Sequence, residues 1–147
     1  MAIKDTSRKP YTQDNDTRIK IGIDLPIRRG NELDGFFAST STTIEAVKNN
    51  IRNLLQTNEG ERFFQPTLGL NLKKYLFEPA TEDTNLLIED EIVGSFRKWL
   101  PFVEIKDLKI TSEETGAIGK NKINIKILFG IQRNNQSLDS VEVTIGE

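Results

Sequence analysis

LLQTNEGERFFQPTLGLNLKKYLFEP, Leu54–Pro79, is the stretch that decides the architecture. It opens on the end of an apolar helical stripe and closes on a short apolar turn blocked by Pro79. Two glycines, an arginine, two adjacent phenylalanines and a proline lie between. Such a run is too ordered for a linker and too poor in reactive groups for an active site. Arg62, just past a helix end, is expected to brace the corner by bonding free helix carbonyls or clamping a carboxylate. Phe63, Phe64, Leu68 and Phe77 are expected to plug the corner into the core. Pro66 and Gly69 set backbone angles that other residues reach only at a cost.

Upstream, Thr42 and Glu45 have the spacing of a capping box, and Ile44, Val47, Ile51, Leu54 and Leu55 fall on one helical face. Lys48, Asn49, Arg52 and Asn53 are expected to face away. The helix should stop near Asn58 to Gly60. Asn71 is placed to cap a short second helix through Leu72, Tyr75 and Leu76. A third helix runs from Thr81 to about Leu100 with Ile88, Ile92, Phe96 and Trp99 as its stripe, ended by Pro101. Six acidic residues and no basic one lie from Glu78 to Glu91. Glu82 and Asp83 suit a helix N-terminus, and Glu89, Asp90 and Glu91 read as a solvated face.

After Pro101 the apolar period falls to two. Val103 and Ile105 alternate, then Leu108 and Ile110 one residue out of phase, which predicts a bulge near Asp107. Ile123, Ile125, Ile127, Phe129 and Ile131 share one face, as do Val141, Val143 and Ile145. The turns GAIGKN and RNNQS between these runs predict an antiparallel meander. The expected fold is therefore α+β: about three helices packed on a small antiparallel sheet, with an extended N-terminal segment. In that segment Ile19, Ile21, Ile23 and Leu25 alternate as a half-buried strand ended by Pro26. The expected division is a flexible tail over 1–18 and a single domain over 19–147.

The chain has 147 residues, with 36% hydrophobic and 29% charged and a net charge of −2. That is an ordinary soluble balance, long enough to bury roughly two-thirds of its unfolded surface. No signal-like or membrane-length apolar run is seen, so a chain kept in solution is expected. The acidic pI near 5.4 speaks against nucleic acid as a partner. With no cysteine and no histidine, disulfides, Cys/His zinc sites and His-dependent nucleophilic catalysis are excluded. The one enzymatic pattern left is a carboxylate pair, Glu59 and Glu61 with Asp34 or Glu78 nearby. Glycoside hydrolysis would need one of them held protonated in an apolar pocket, and nothing in the sequence indicates that. No cofactor and no metal are expected.

The corner also carries a resemblance. Thr57, Gly60, Arg62, Phe64, Pro66, Gly69, Leu76, Phe77 and Glu78 match, in order and spacing, the signature of the phage baseplate wedge proteins that initiate the contractile tail sheath. A relative occurs in type VI secretion baseplates, and the family has also been labelled a tail lysozyme. The likeness runs from about Thr42 to Ile110. Members commonly carry Glu-Pro-Arg where this chain has Leu100, Pro101 and Phe102, so a charged contact with neighbouring wedge subunits is replaced here.

The resemblance implies a non-enzymatic structural protein of a virion tail baseplate, assembled in the host cytoplasm. Its implied partners are tail sheath subunits, other wedge proteins and tube-proximal components, with no nucleic acid and no membrane. The final strand, Val141, Glu142, Val143, Thr144 and Ile145, carries no proline to block pairing and is expected to offer its edge to sheath arms. The rival readings are a peptidoglycan hydrolase and a bacterial regulatory adaptor sharing the fold.

Overall fold

A computed structural model describes residues 18–31, 35–115, 120–132 and 134–146. Residues 1–17 of the tail expected over 1–18, Asp34, and residues 116–119 of the GAIGKN turn lie outside them. The chain divides into two compact units, residues 1–49 and 50–147, within the first helix.

In the first unit, β1 (Gly22–Ile23) pairs antiparallel with β2 (Ser39–Thr40). The ladder is only two residue pairs long, and Ile19, Ile21 and Ile23 are exposed instead of half-buried. A strand this short gathers too little cover to bury an alternating face. The first half of α1 (Thr43–Gln56) follows, with the Glu45 N–H 3.4 Å from Thr42 Oγ1. Asn49 departs from expectation: it is buried and donates to the Ile23 carbonyl at 3.4 Å and to Asp24 Oδ1 at 3.3 Å. An amide can leave solvent when its donors find such partners.

The second unit holds the rest of α1, a 3-10 helix η1 (Leu72–Phe77), α2 (Glu82–Trp99) and a sheet of β3 (Val103–Thr115), β4 (Lys120–Ile131) and β5 (Asn134–Ile145). The strand order is β3-β4-β5, all antiparallel, so the α+β meander is as expected. The bulge falls between Ile105 and Asp107, leaving Lys106 as the extra residue, as the phase slip required.

The second turn is narrower than its sequence predicts. Ile131 pairs with Asn134, so Asn134–Ser137 belong to β5, and a register shift after Gly130 lets the ladder continue where polar composition suggested a loop.

α2 packs against β3, and η1 against β4 and β5. Ile125, Ile127, Phe129 and Val141 are fully buried on the helix-facing side, with Ile88, Ile92, Ile51, Leu55 and Leu72 completing the core. Ile44 and Trp99 are half-buried margins of their stripes. The Thr81 side chain caps α2, accepting from the Thr84 N–H at 3.3 Å.

Candidate protein-docking site

The corner is a closed loop whose neck is made by backbone. Leu70 N–H donates to the Thr57 carbonyl at 2.9 Å, joining the two ends of a 57–70 excursion. Inside it, Gly60 N–H meets the Pro66 carbonyl at 2.6 Å and Glu61 N–H the Asn58 carbonyl at 3.1 Å. The Glu61 carboxylate turns back to accept from the Asn58 N–H at 2.9 Å. Thr57 is buried and donates its hydroxyl to the Asn53 carbonyl at 2.6 Å.

Two expectations for this corner are overturned. Phe63, Phe64 and Phe77 are 92%, 93% and 89% exposed, so they plug nothing. Main-chain hydrogen bonds already hold the loop, and no element among the described residues covers its tip. The two tip rings meet edge to face, with centroids 5.4 Å apart. Leu68 and Leu76 are half-buried, while Glu78 is exposed beyond η1. Arg62 likewise is exposed, and its Nη2 donates to the Asn53 side-chain oxygen at 2.8 Å rather than to helix carbonyls or a carboxylate. Arg62→Ala is therefore expected to lower stability by only about 0.5–1 kcal/mol in chemical denaturation. A loss above about 2 kcal/mol would mean that a buried group had been stranded.

Glu91 was missed. Read as part of a solvated acidic face, it is half-buried and ties η1 to α2. Tyr75 Oη donates to its Oε2 at 2.8 Å, Lys74 Nζ lies 2.9 Å from the same oxygen, and the Asn71 N–H donates to Oε1 at 3.1 Å. Burial pushes the carboxyl up, but these three donors outweigh it and hold Glu91 below the usual carboxylate range. Burial and the Glu91 contact raise the Tyr75 phenol. Asn71, expected as a side-chain cap, makes no such bond; its backbone N–H is used instead. A glutamate three turns from a helix start carried no sequence signal of this, because its partners lie 16–20 residues away.

Leu100 is buried at the end of α2, donating its N–H to the Phe96 carbonyl at 2.8 Å. Pro101 and Phe102 are exposed beside it.

β5 pairs with β4 from Gly130↔Leu138 to Ile123↔Ile145 without interruption, and it is an outer strand of its sheet. Val141, Val143 and Ile145 are buried on the core face, while Glu142 and Thr144 are exposed. The Ser140 N–H is turned to Asp139 Oδ1 at 2.7 Å, away from β4. Donors alternate direction along an antiparallel strand, so those of Glu142 and Thr144 also point outward.

The first unit has an apolar surface of its own, with Ile19, Ile21, Ile23, Ile27, Phe36 and Phe37 exposed. Among the described residues no cluster of acidic side chains could hold a metal ion, and no helix is long and apolar enough to cross a membrane. Glu59 and Glu61 stand exposed on the turn, not in an apolar pocket.

Residues 41–136 match the family model described as baseplate wedge protein gp25. Baseplate wedge protein gp25 of Enterobacteria phage T4 is 22% identical over 107 residues, covering 73% of this chain and 78% of the phage protein. A protein of the anti-feeding prophage baseplate superposes with a TM-score of 0.61 and 24% identity, over 75% of this chain and 83% of that one. A Geobacter sulfurreducens protein described as a candidate tail lysozyme gives 0.60 and 23%, over 73% and 93%. At these identities the structural likeness concerns the fold.

Proposed function

The chain belongs to the baseplate wedge protein gp25 family, and from that premise we propose that it is a non-enzymatic wedge subunit that starts sheath assembly by adding a partner strand to β5. The observation that carries this reading is the regularly paired outer strand with outward donors at Glu142 and Thr144. Main-chain hydrogen bonds along such an edge supply affinity, and the exposed side chains supply register. Extended arms of the first sheath subunits are the partner this edge fits. The aromatic loop tip and the apolar face of the first unit are suited to wedge and tube-proximal neighbours. Phe102 offers such a neighbour an apolar contact where relatives use a charged pair. Assembly would take place in the host cytoplasm and end in the virion tail.

The donor directions refine the test. Proline at Val143 would break a bond to β4, whereas Glu142→Pro removes an outward donor and leaves the sheet intact. Amides of Glu142 and Thr144 are expected to exchange with deuterated solvent at least about 100-fold faster than those of Val141 and Val143. Glu142→Pro, which also gives up the exposed bond from Asn124 Nδ2 to Glu142 Oε1 at 2.7 Å, should melt within a few degrees of the parent and weaken binding of sheath protein about tenfold or more, roughly 1.4 kcal/mol. Undiminished binding by the folded variant would refute the edge reading. The purified chain is expected to leave the turbidity of a cell-wall suspension unchanged; clearing would favour the hydrolase.

A further inference from the structure

The sheet has two outer strands, β3 and β5, and they are built differently. From Glu104 to Lys109 β3 carries four charges in six residues, including two lysines. The charges pair along the strand itself: Lys106 Nζ lies 2.9 Å from Glu104 Oε1, and Lys109 Nζ 3.7 Å from Asp107 Oδ2. Lys106 is also the bulged residue, so the ladder slips between Ile105↔Phe129 and Asp107↔Leu128. Farther along, Ser112 Oγ donates to Asn85 Oδ1 at 3.3 Å and ties the strand to α2. β5 has no slip from Leu138 to Ile145 and carries only Asp139 and Glu142 as charges. Asp139 itself occupies the Ser140 donor.

Resting on the reading of β5 as the docking edge, we infer that the sheet accepts a strand on one side only, at Glu142 to Ile145, and that the Lys106 bulge with its charge ladder closes β3. Bulges and lysine-rich outer strands are the devices by which soluble sheets prevent edge-to-edge pairing. A strand laid against β3 would lose registry at Lys106 and would run beside four charged side chains. The upstream part of β5 is closed more gently, because an incoming carbonyl there competes with Asp139. A single window gives the assembly polarity: each subunit adds one strand and cannot propagate into a ladder of its own copies.

The chain has no cysteine, so one introduced thiol reports one edge. The probe is a second copy of the full chain, oxidised at millimolar concentration, with Asp90→Cys on exposed α2 surface as the collision control. Glu142→Cys should form disulfide dimers at least tenfold faster than Lys109→Cys, which should match the control. Deleting Lys106 in the Lys109→Cys chain restores registry and should raise its rate to that of Glu142→Cys. A Lys109→Cys rate equal to that of Glu142→Cys and above the control, or no rise in a deletion variant that melts like its parent, would overturn the inference. If the deletion variant does not fold, Glu104→Thr with Lys106→Thr keeps the chain length and should raise the rate part-way; no rise there overturns it equally. A Glu142→Cys rate no higher than the control would count against the docking edge itself, while the closure of β3 is still decided by the deletion.

Discussion

Gly69→Ala is expected to lower stability by about 3 kcal/mol, whereas Gly60→Ala should cost only about 1 kcal/mol, although both glycines have positive φ, at +122° and +87°. The difference lies in what a Cβ would meet. At Gly69 it would stand 2.4 Å from the Thr57 carbonyl oxygen and 2.9 Å from the Asn58 carbonyl carbon, both backbone. Those atoms form the neck of the loop, so relief means opening the Leu70-to-Thr57 hydrogen bond. At Gly60 nothing lies within 4 Å, and only the left-handed backbone is penalised. Urea denaturation of the two variants measures the gap directly. Equal losses would show that the neck yields, and that the spacing Gly60 to Gly69 reflects backbone angle alone. A loss of about 3 kcal/mol would also lower the melting point by about 10 °C in a chain of this size.

Glu91→Ala should cost about 2 kcal/mol near neutral pH, since it strands the Tyr75 hydroxyl and the Asn71 N–H together and leaves Lys74 without its carboxylate. The figure is held down because Lys74 is half exposed and that ion pair is partly screened. The effect has a pH signature. Glu91 has its folded value below the ordinary 4.5, so its contribution is present above about pH 4.5 and is lost as pH falls through the lower folded value. Lys74, through its Glu91 contact, and Tyr75, chiefly through burial, are raised above 10.5 and 10.0. Their contributions are present below those values and disappear as pH rises through the folded ones. Melting curves of Glu91→Gln against the parent should therefore differ most between about pH 5 and pH 9 and converge in acid. A difference that persists undiminished at pH 2 would remove the carboxylate from the explanation.

Both changes act on the packing of η1 and the loop, and neither touches the exposed phenylalanines. Phe63 and Phe64 illustrate where reading from sequence goes astray. Adjacent aromatics beside a helix end look like a plug, yet nothing local says whether another element arrives to cover them. Exposure here is a property of the surroundings, and the surroundings are long-range.

Period and phase determined much by themselves. Alternation of Ile123 through Ile131 set the central strand, the phase slip between Ile105 and Leu108 set a bulge near Asp107, and Thr81 with Pro101 set the limits of α2. These are local consequences of side-chain direction along a strand or helix, so a short window contains the whole cause. Tertiary structure alone decided the burial of Asn49, the role of Glu91 and the outward turn of the Glu142 and Thr144 donors. Each depends on a partner distant in sequence or on which side of a strand its neighbour lies. A polar side chain or an amide is satisfied by whatever the fold brings to it, and the residue's own neighbours carry no record of that choice.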